Sequence, residues 1–275
     1  MQTQATKARQ FQALHERGIF VAPNPWDLGS ALMLQQMGFA ALASTSSGLA
    51  MTLGQRDGQL AREQVLSHCA ALTAALDIPL TADLENGFGD SPEAVAETIR
   101  LAAQAGLSGG SIEDFTGDLA APLYPLNLAV ERVVAAVEEA ARQDSPFLVT
   151  ARAEQMLRSE RDLDATIERL VAFEKAGAQV LYAPGLRDYE QVGAVLAAVT
   201  RPVNVLIAGV KGADVAGLQA LGVRRISTGG ALARAALAPL LAAGREMLDT
   251  GSFAWLGSVA SVAQLDALLP ASPDD

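Results

Sequence analysis

The sequence contains few of the residues on which several common kinds of catalysis depend. Its 275 residues include one cysteine and two histidines, which are Cys69, His15 and His68. A single cysteine excludes an internal disulfide framework and fits the reducing conditions of the cytoplasm, where we expect the protein to act. With so few histidine and cysteine side chains, a Ser-His-Asp hydrolase, a histidine-rich zinc site or a thiol enzyme is disfavoured. Aspartate and glutamate are abundant by comparison, with 31 residues, so chemistry based on a hard metal ion stays open.

Long apolar runs and excess positive charge are also absent. No stretch approaches the roughly 18 uninterrupted apolar residues of a membrane helix. The richest stretch, Ala231–Ala243, is interrupted by Arg234 and Pro239, and residues 1–20 lack the apolar core of a secretion signal. The formal net charge of −11 would repel the phosphates of a nucleic acid. We therefore expect a small-molecule partner, and neither a nucleic acid nor a membrane.

Short apolar runs alternate with longer segments of helical periodicity through most of the chain. The predicted strands are Ile19–Pro23, Phe39–Ser44, Ile78–Asp83, Ser108–Glu113, Phe147–Ala151, Gln179–Tyr182, Val203–Leu206 and Arg225–Thr228. The predicted helices are Leu28–Met37, Arg62–Leu76, Pro92–Ala105, Leu128–Arg142, Leu163–Ala176, Tyr189–Val199, Ala213–Leu221 and Ala231–Leu248. Continuously apolar strands followed by helices predict a single (β/α)8 barrel, or TIM barrel, over residues 1–275. The alternative is a doubly wound open sheet, but no G-x-G-x-x-G motif follows the first strand.

The apolar segment 253–269 follows the eighth helix and has no position in a closed barrel. Its apolar side chains are too numerous to stay exposed on a monomer. We therefore predict a C-terminal helical segment that packs on the outside of the barrel or on a partner subunit of a homo-oligomer.

Acidic side chains cluster where the third and fourth strands end, and the loops at these ends build the active site of such barrels. Asp83 and Glu85 are two residues apart, so on an extended segment both can face the barrel mouth. Glu113 ends the adjacent strand. Three converging carboxylates would repel one another, and bound Mg²⁺ would relieve that repulsion. The alternative is that Asp83 and Glu113 form a structural ion-pair network with Arg152.

Other polar residues at the same end of the barrel are candidates for substrate binding and proton transfer. The planar guanidinium of Arg152 suits bidentate binding of a carboxylate. Ser47, Gly48 and Leu49 offer successive backbone N–H groups that could hold an oxyanion, although such a sequence is more often an ordinary turn. Asp57 lies on the long second loop, where it or a metal-bound water could move protons.

Five short motifs stand near the ends of the predicted strands. They are Ser47-Gly48-Leu49, Gly54-Gln55-Arg56-Asp57, Asp83-x-Glu85-Asn86-Gly87-Phe88-Gly89, Ile112-Glu113-Asp114 and Thr150-Ala151-Arg152. Together they resemble the isocitrate lyase/phosphoenolpyruvate mutase superfamily. The resemblance implies a barrel whose additional helix is swapped between subunits, in dimers that often pair into tetramers. It also implies Mg²⁺ held through Asp83, with Glu85 and Glu113 acting mainly through water, and α-oxo acids cleaved through a metal-bound enolate.

The resemblance also assigns substrate contacts. It implies that backbone amides matched by Ser47 and Gly48 bind the oxo acid and that Arg152 binds its carboxylate. We expect Tyr182 and Asn204 to contribute to selectivity. The predicted substrate-binding residues are Ser46, Ser47, Gly48, Leu49, Asp83, Arg152, Tyr182 and Asn204. The predicted catalytic residues are Asp57, Glu113 and Arg152.

Two branches of the superfamily are disfavoured by residues that are missing. The lyase branch carries a Lys-Lys-Cys-Gly-His loop after the fourth strand, where this chain has residues 115–122 without cysteine or lysine. The mutase branch carries a histidine after the sixth strand, where this chain has Ala183-Pro184. The leading hypothesis is a Mg²⁺-dependent C–C lyase or decarboxylase acting on a short dicarboxylic 2-oxo acid such as oxaloacetate or 2-oxoglutarate. The alternatives are a non-catalytic α-oxo-acid sensor and, third, a phosphonopyruvate-type P–C bond hydrolase.

Overall fold

Eight parallel strands form a closed barrel in the computed structural model, which describes residues 2–269. The strands are β1 (Phe20–Ala22), β2 (Leu42–Ala43), β3 (Leu80–Asp83), β4 (Gly109–Glu113), β5 (Leu148–Arg152), β6 (Val180–Tyr182), β7 (Val203–Leu206) and β8 (Arg225–Ser227). Consecutive strands from β2 to β8 are paired, and β1 pairs with β8 with Phe20 opposite Arg225. The Ala43 N–H donates to the Pro23 carbonyl across 3.1 Å and joins β2 to β1. The predicted (β/α)8 barrel is confirmed, and the open sheet is wrong.

Helices surround the barrel, and capping side chains fix where several of them begin. They are α1 (Gln4–Glu16), α2 (Leu28–Gln36), α3 (Ser46–Thr52), α4 (Arg62–Ala75), α5 (Pro92–Gln104), α6 (Leu126–Ala141), α7 (Gln155–Arg158), α8 (Leu163–Lys175), α9 (Tyr189–Ala198), α10 (Val215–Leu221), α11 (Ala231–Thr250) and α12 (Val262–Asp266). Side chains of Asp27, Ser91, Asp162, Asp188 and Asp214 accept a hydrogen bond from the N–H three residues further on. The eight predicted outer helices agree with the structure to within two residues at each end. Within residues 2–269, no helix combines the length and the apolar character needed to cross a lipid bilayer.

Helix α1 packs beneath the strands, at the end of the barrel where they begin. Phe11 is fully buried, and its ring centroid lies 4.8 Å from that of His15 and 6.2 Å from that of Phe20. The Phe11 ring also packs against Gly109, the first residue of β4. Burial, which disfavours the charged imidazolium, lowers the pKa of His15 to about 3. This aromatic layer therefore closes one end of the barrel and leaves the C-terminal ends of the strands as the open end.

The C-terminal segment lies outside the barrel, as predicted, but it is not one continuous helix. Helix α11 ends at Gly251, which has a φ of 65°. Residues 254–258 then form a 3-10 helix, and the Ser261 side chain caps the separate helix α12 by accepting from the Gln264 N–H. Its exposed large apolar side chains are Phe253, Leu256, Val259, Val262, Leu265 and Leu269. This part of the chain thus presents an apolar surface that the same molecule does not cover.

Candidate active site

A cavity of about 1040 Å³ opens at the C-terminal ends of the strands. The predicted site residues that line it are Ser46, Ser47, Asp57, Asp83, Glu85, Glu113, Arg152, Tyr182 and Asn204. Among the described residues, no histidine, cysteine or lysine lines this cavity. The fold therefore brings most of the residues singled out from the sequence into one place, and it supplies carboxylates, hydroxyls and arginines as the available chemistry.

The Ser46 hydroxyl joins two carboxylates of the cavity. Its Oγ lies 2.8 Å from Asp83 Oδ2 and 3.3 Å from Asp57 Oδ1, so it can donate to either. The Asp83 N–H donates to Ser44 Oγ at 3.1 Å, which fixes the end of β3. Asp57 thereby approaches the acidic cluster from the loop after α3, although it is distant from Asp83 in sequence.

Glu85 lines the cavity, but its backbone conformation is not the extended one that its two-residue spacing from Asp83 predicts. Strand β3 ends at Asp83, and Glu85 has a φ of 49°, in the left-handed region, so the extended geometry expected for this pair is wrong. The Glu85 carbonyl accepts a hydrogen bond from the Glu113 N–H at 2.9 Å. Its Oε1 is buried and has no hydrogen-bond partner among the described residues. Burial first, and the charge of Asp83 second, raise the pKa of Glu85 to about 7.

Arg152 lies between the carboxylates at the barrel mouth. Its Nη1 is 3.1 Å from Glu113 Oε2 and 3.5 Å from Asp83 Oδ1, and its Nε is 2.5 Å from Glu154 Oε1. Burial alone would lower the pKa of Arg152, but Glu113 and Glu154 raise it well above its ordinary value. Burial also raises the pKa of Glu113. The ion-pair network that the sequence left as an alternative is therefore present.

A buried network behind Arg152 holds the ends of β4 and β5 together. The Glu154 N–H donates to Asp114 Oδ1 at 2.7 Å, and Arg169 Nη1 donates to Asp114 Oδ2 at 3.0 Å. Arg158 Nε donates to Glu154 Oε2 at 3.2 Å. Glu154, which is fully buried, thus receives hydrogen bonds from both Arg152 and Arg158. Because each strand end is fixed in this way, Arg152 has little freedom to leave the acidic cluster.

The Asn86–Asp90 loop that follows Glu85 is held from below by a buried arginine. Arg132 donates to the backbone carbonyls of Asn86, Gly89 and Asp90. The Tyr124 hydroxyl donates to Asp90 Oδ1 at 2.6 Å and accepts from Asn86 Nδ2 at 3.1 Å. These bonds satisfy a tight, irregular backbone that would otherwise leave buried carbonyls unpaired. The glycine-rich motif after the acid pair is therefore a rigid support for Glu85.

The backbone amides predicted to hold an oxyanion are only partly available. Residues 46–52 form α3, and the Gly48 N–H donates to Thr45 Oγ1 at 3.2 Å while the Leu49 N–H donates to the Thr45 carbonyl at 3.0 Å. A Cβ at Gly48 would lie 2.8 Å from the Trp26 Cβ, so this glycine permits close packing. Gly48 and Leu49 do not line the cavity. Their predicted contact with substrate is therefore corrected to a structural role, and Ser46 and Ser47 remain at the cavity wall.

The acidic cluster fits a Mg²⁺ ion that is held by few protein ligands. Carboxylate oxygens are the donors that this hard cation prefers, and Glu85 Oε1 is a buried acceptor without a partner in residues 2–269. In the same residues, no group of three or more His, Cys, Asp and Glu side chains is placed to hold a metal ion. The predicted convergence of three carboxylates on one point is not observed, because Asp83 and Glu113 converge on Arg152. The arrangement suits an ion bound through one or two carboxylates and water.

Arg225, which the sequence analysis did not single out, borders the cavity from its floor. Its Nε donates to Asn204 Oδ1 at 2.9 Å, and its Nη2 donates to Thr150 Oγ1 at 3.1 Å. Asn204 Nδ2 in turn donates to Ser227 Oγ at 2.9 Å. The sequence did contain a signal for this residue, because Arg225 is a charged residue at the start of a strand predicted to be buried. Arginine is seldom fully buried unless it has a partner.

Comparison with known proteins gives consistent matches across the barrel. A family profile described as phosphoenolpyruvate phosphomutase matches residues 11–248. An uncharacterized protein of Mycobacterium tuberculosis is 34% identical over 222 residues, which are 80% of this chain and 81% of that protein. A solved Burkholderia cenocepacia structure, described as a candidate lyase/mutase, is 51% identical with a TM-score of 0.93 and covers 96% of both chains. The structure of an oxaloacetate acetylhydrolase in complex with its product oxalate is 25% identical with a TM-score of 0.85, over 98% of this chain and 95% of that one.

Proposed function

Because the chain belongs to the phosphoenolpyruvate mutase/isocitrate lyase superfamily, we propose that it is a Mg²⁺-dependent enzyme that cleaves or decarboxylates a short dicarboxylic 2-oxo acid. The observation that carries this proposal is the acidic cluster at the barrel mouth, with the unpartnered Oε1 of Glu85 among the described residues. A similar solved protein acts on oxaloacetate, which supports a ligand of this size and charge. Members of the superfamily are typically Mg²⁺-dependent.

Asp83 is the residue that would hold the ion directly, with Glu85 and Glu113 bonded to its water ligands. Asp83 is the last residue of β3, and its side chain is less buried than that of Glu113. Bound Mg²⁺ supplies Lewis-acid stabilisation of the negative charge that develops on the 2-oxo oxygen when a bond to the neighbouring carbon breaks. With the ion bound, the carboxylates of the acidic cluster would repel one another less, because part of their negative charge would be neutralised.

Other side chains of the cavity would bind the substrate and transfer protons. In Arg152, Nε and Nη1 are engaged by carboxylates, which leaves Nη2 as the nitrogen for a substrate carboxylate within the described residues. Asp57 lies within 3.3 Å of the Ser46 hydroxyl and is the group we assign to proton transfer. Burial raises the pKa of Tyr182 to about 12, so its hydroxyl stays protonated and can donate to the ligand.

A second candidate function is a non-catalytic sensor of 2-oxo acids. It is favoured by one observation, which is that no cysteine, histidine or lysine in residues 2–269 lines the cavity. Such a protein would keep the binding residues without a strong general acid or base. A P–C bond hydrolase is a weaker third candidate, because Ala183 and Pro184 occupy the position of the mutase histidine.

The two leading candidates separate in a panel of 2-oxo acids tested with and without Mg²⁺. We expect a dicarboxylic 2-oxo acid to raise the melting temperature only when Mg²⁺ is present, and to be consumed in a turnover assay. A ligand at 100 times its dissociation constant stabilises the folded state by about 2.7 kcal/mol, which such a panel detects easily. A compound that stabilises the protein but is never consumed supports the sensor. The absence of any stabilising 2-oxo acid contradicts both.

We also place the enzyme in the cytoplasm. Cys69 is a free, buried thiol, and burial raises its pKa to about 12. A neutral thiol in the core neither forms a disulfide nor takes part in the chemistry, in keeping with a reducing compartment.

The C-terminal surface points to assembly with a second copy of this chain. Beyond residues 253–269, the outer face of α11 is also apolar and exposed, at Leu237, Leu240, Leu241, Met247 and Leu248. Contiguous apolar surface of this kind is typical of an interface. We propose that segment 253–269 packs on a partner subunit and so gives a dimer or a tetramer.

Truncation after Thr250 tests this assembly. We expect the shortened protein to form smaller particles in light scattering or to lose solubility, because it loses the apolar side chains that cover the partner. A truncated protein with the oligomeric state and solubility of the parent would contradict the proposal.

A further inference from the structure

Arg225 differs from the other buried arginine of the cavity in having no anionic partner. It is 4% exposed, and its Nη1 is buried without a hydrogen-bond partner among the described residues. Its two hydrogen bonds go to the neutral side chains of Asn204 and Thr150. In residues 2–269 no Asp or Glu forms an ion pair with it, and burial lowers the pKa of Arg225 to about 10. A buried charge without a counter-ion is unfavourable, because water is not there to solvate it.

The contrast with Arg152 shows what is missing at Arg225. Arg152 is surrounded by Glu113, Glu154 and Asp83, and its charge is fully compensated inside the protein. Arg225 borders the same cavity, yet hydroxyl and amide oxygens are the acceptors around it. The cavity is thus acidic at its mouth and cationic at its floor.

We propose that Arg225, Asn204 and Ser227 form an anion site on the cavity floor, which binds the ligand carboxylate remote from the acidic cluster. The inference rests on the proposed function and names the residues that would select a dicarboxylic over a monocarboxylic 2-oxo acid. Asn204 is held in one orientation, because its amide nitrogen donates to Ser227 and its oxygen accepts from Arg225. Arg225, Asn204 and Ser227 are thus joined by hydrogen bonds into one connected polar network on the floor.

The spacing of the two arginines suits a short dicarboxylate. Arg225 donates to Thr150, which precedes Arg152 by two residues on β5, so both β5 side chains point into the barrel. Thr150 and Arg152 are separated by roughly 7 Å of strand. Because Arg225 contacts Thr150, a ligand that reaches from the level of Arg152 to that of Thr150 needs a chain of a few atoms, which suits a dicarboxylate of four or five carbons.

Ligand pairs of equal chain length test the site. Oxaloacetate is compared with 2-oxobutanoate, and 2-oxoglutarate with 2-oxopentanoate, by calorimetry and thermal shift in the presence of Mg²⁺. We expect the parent protein to bind the dicarboxylate of at least one pair about 30-fold or more tightly than its monocarboxylate, which is the scale of one buried charged contact. Arg225→Gln is expected to lose that preference by weakening the dicarboxylate alone.

Arg224→Gln is the matched control. Arg224 directly precedes Arg225, but its side chain donates to the Gly18 carbonyl at the exposed surface. Its substitution removes the same charge and is expected to leave both affinities at parental values. Equal affinities of the parent and Arg225→Gln for every compound would overturn the proposal, and so would an equal loss for both members of a pair.

Two further measurements keep the outcomes distinct. If no 2-oxo acid binds the parent, the proposed function fails, and Mg²⁺-free melting with succinate against butyrate then decides the anion site alone. Stabilisation of the parent, but not of Arg225→Gln, by succinate supports the site. Equal effects of succinate on the two proteins overturn it.

If Arg225→Gln does not fold, Arg225→Lys is used, since lysine keeps the positive charge and loses the planar guanidinium. It should show a reduced preference for the dicarboxylate, and an unchanged preference would contradict the site.

Discussion

Asp83→Ala is expected to abolish the Mg²⁺ dependence of ligand binding while the barrel stays folded. Loss of a residue that only orients a metal ligand weakens metal binding by about 10- to 100-fold, so loss of the direct ligand should weaken it by more than ~100-fold. The fold should survive, because Ser46 can still donate to Asp57, and Arg152 keeps Glu113 and Glu154. The metal-free protein is expected to have less repulsion among its carboxylates and to melt at or above the parental temperature.

Calorimetric titration of Mg²⁺, together with metal-free melting curves, measures both parts of this result. Asp144→Ala is a suitable control, since Asp144 is an exposed carboxylate outside the cavity. The assignment of Asp83 fails if the alanine variant binds Mg²⁺ as tightly as the parent. It also fails if that variant unfolds without metal while the control does not.

Arg152→Ala is expected to destabilise the metal-free protein strongly as well as weaken ligand binding. Breaking a buried ion pair by removing one partner typically lowers the free energy of unfolding by about 3–5 kcal/mol. Here Glu113 would lose its counter-ion and Glu154 would keep only Arg158. If Arg152 also binds substrate, affinity for the 2-oxo acid should fall by roughly 30-fold to several-thousand-fold.

Two comparisons separate the structural role of Arg152 from its role in binding. Mg²⁺ should restore part of the lost stability, because it neutralises the carboxylates that Arg152 leaves behind. Arg152→Lys should recover stability better than affinity, since lysine keeps the charge for Glu113 and Glu154 but has no second nitrogen to take the place of Nη2 at the substrate. Arg142→Ala, which removes the ion pairs of an exposed arginine with Glu138 and Glu139, should change stability by less than about 1 kcal/mol. A stable Arg152→Ala protein with parental affinity would remove Arg152 from the site.

The barrel could be predicted from the sequence because its signals are local. Each strand run and each helix carries its own periodicity, and side chains such as Ser91 and Asp188 mark helix starts within one turn. The acidic residues of the site could be found for a related reason. Their positions follow from where the strands end, and in this fold every strand ends at the same face.

The parts of the site that were not predicted depend on contacts between distant segments. The left-handed backbone of Glu85 follows from the hydrogen bond to Glu113 and from the loop that Arg132 supports. The engagement of the Gly48 amide follows from the Thr45 cap, which turns an apparent loop into a helix. Arg225 was missed because its hydrogen-bond partners lie on two other strands, with Asn204 on β7 and Thr150 on β5, and neither residue is near it in sequence.

The pairing of the first strand with the last has a consequence for how the protein is made. Asn24, just after β1, bonds to Thr228, just after β8, across 204 residues of chain. At about 5–20 residues per second, a ribosome needs roughly 10–40 s to synthesise the intervening stretch. Until then β1 lacks its partner β8 and the growing sheet keeps open edges, which are sites of aggregation. Ring closure must therefore await the synthesis of β8, and a nascent chain that stops earlier exposes apolar strands that the closed barrel hides.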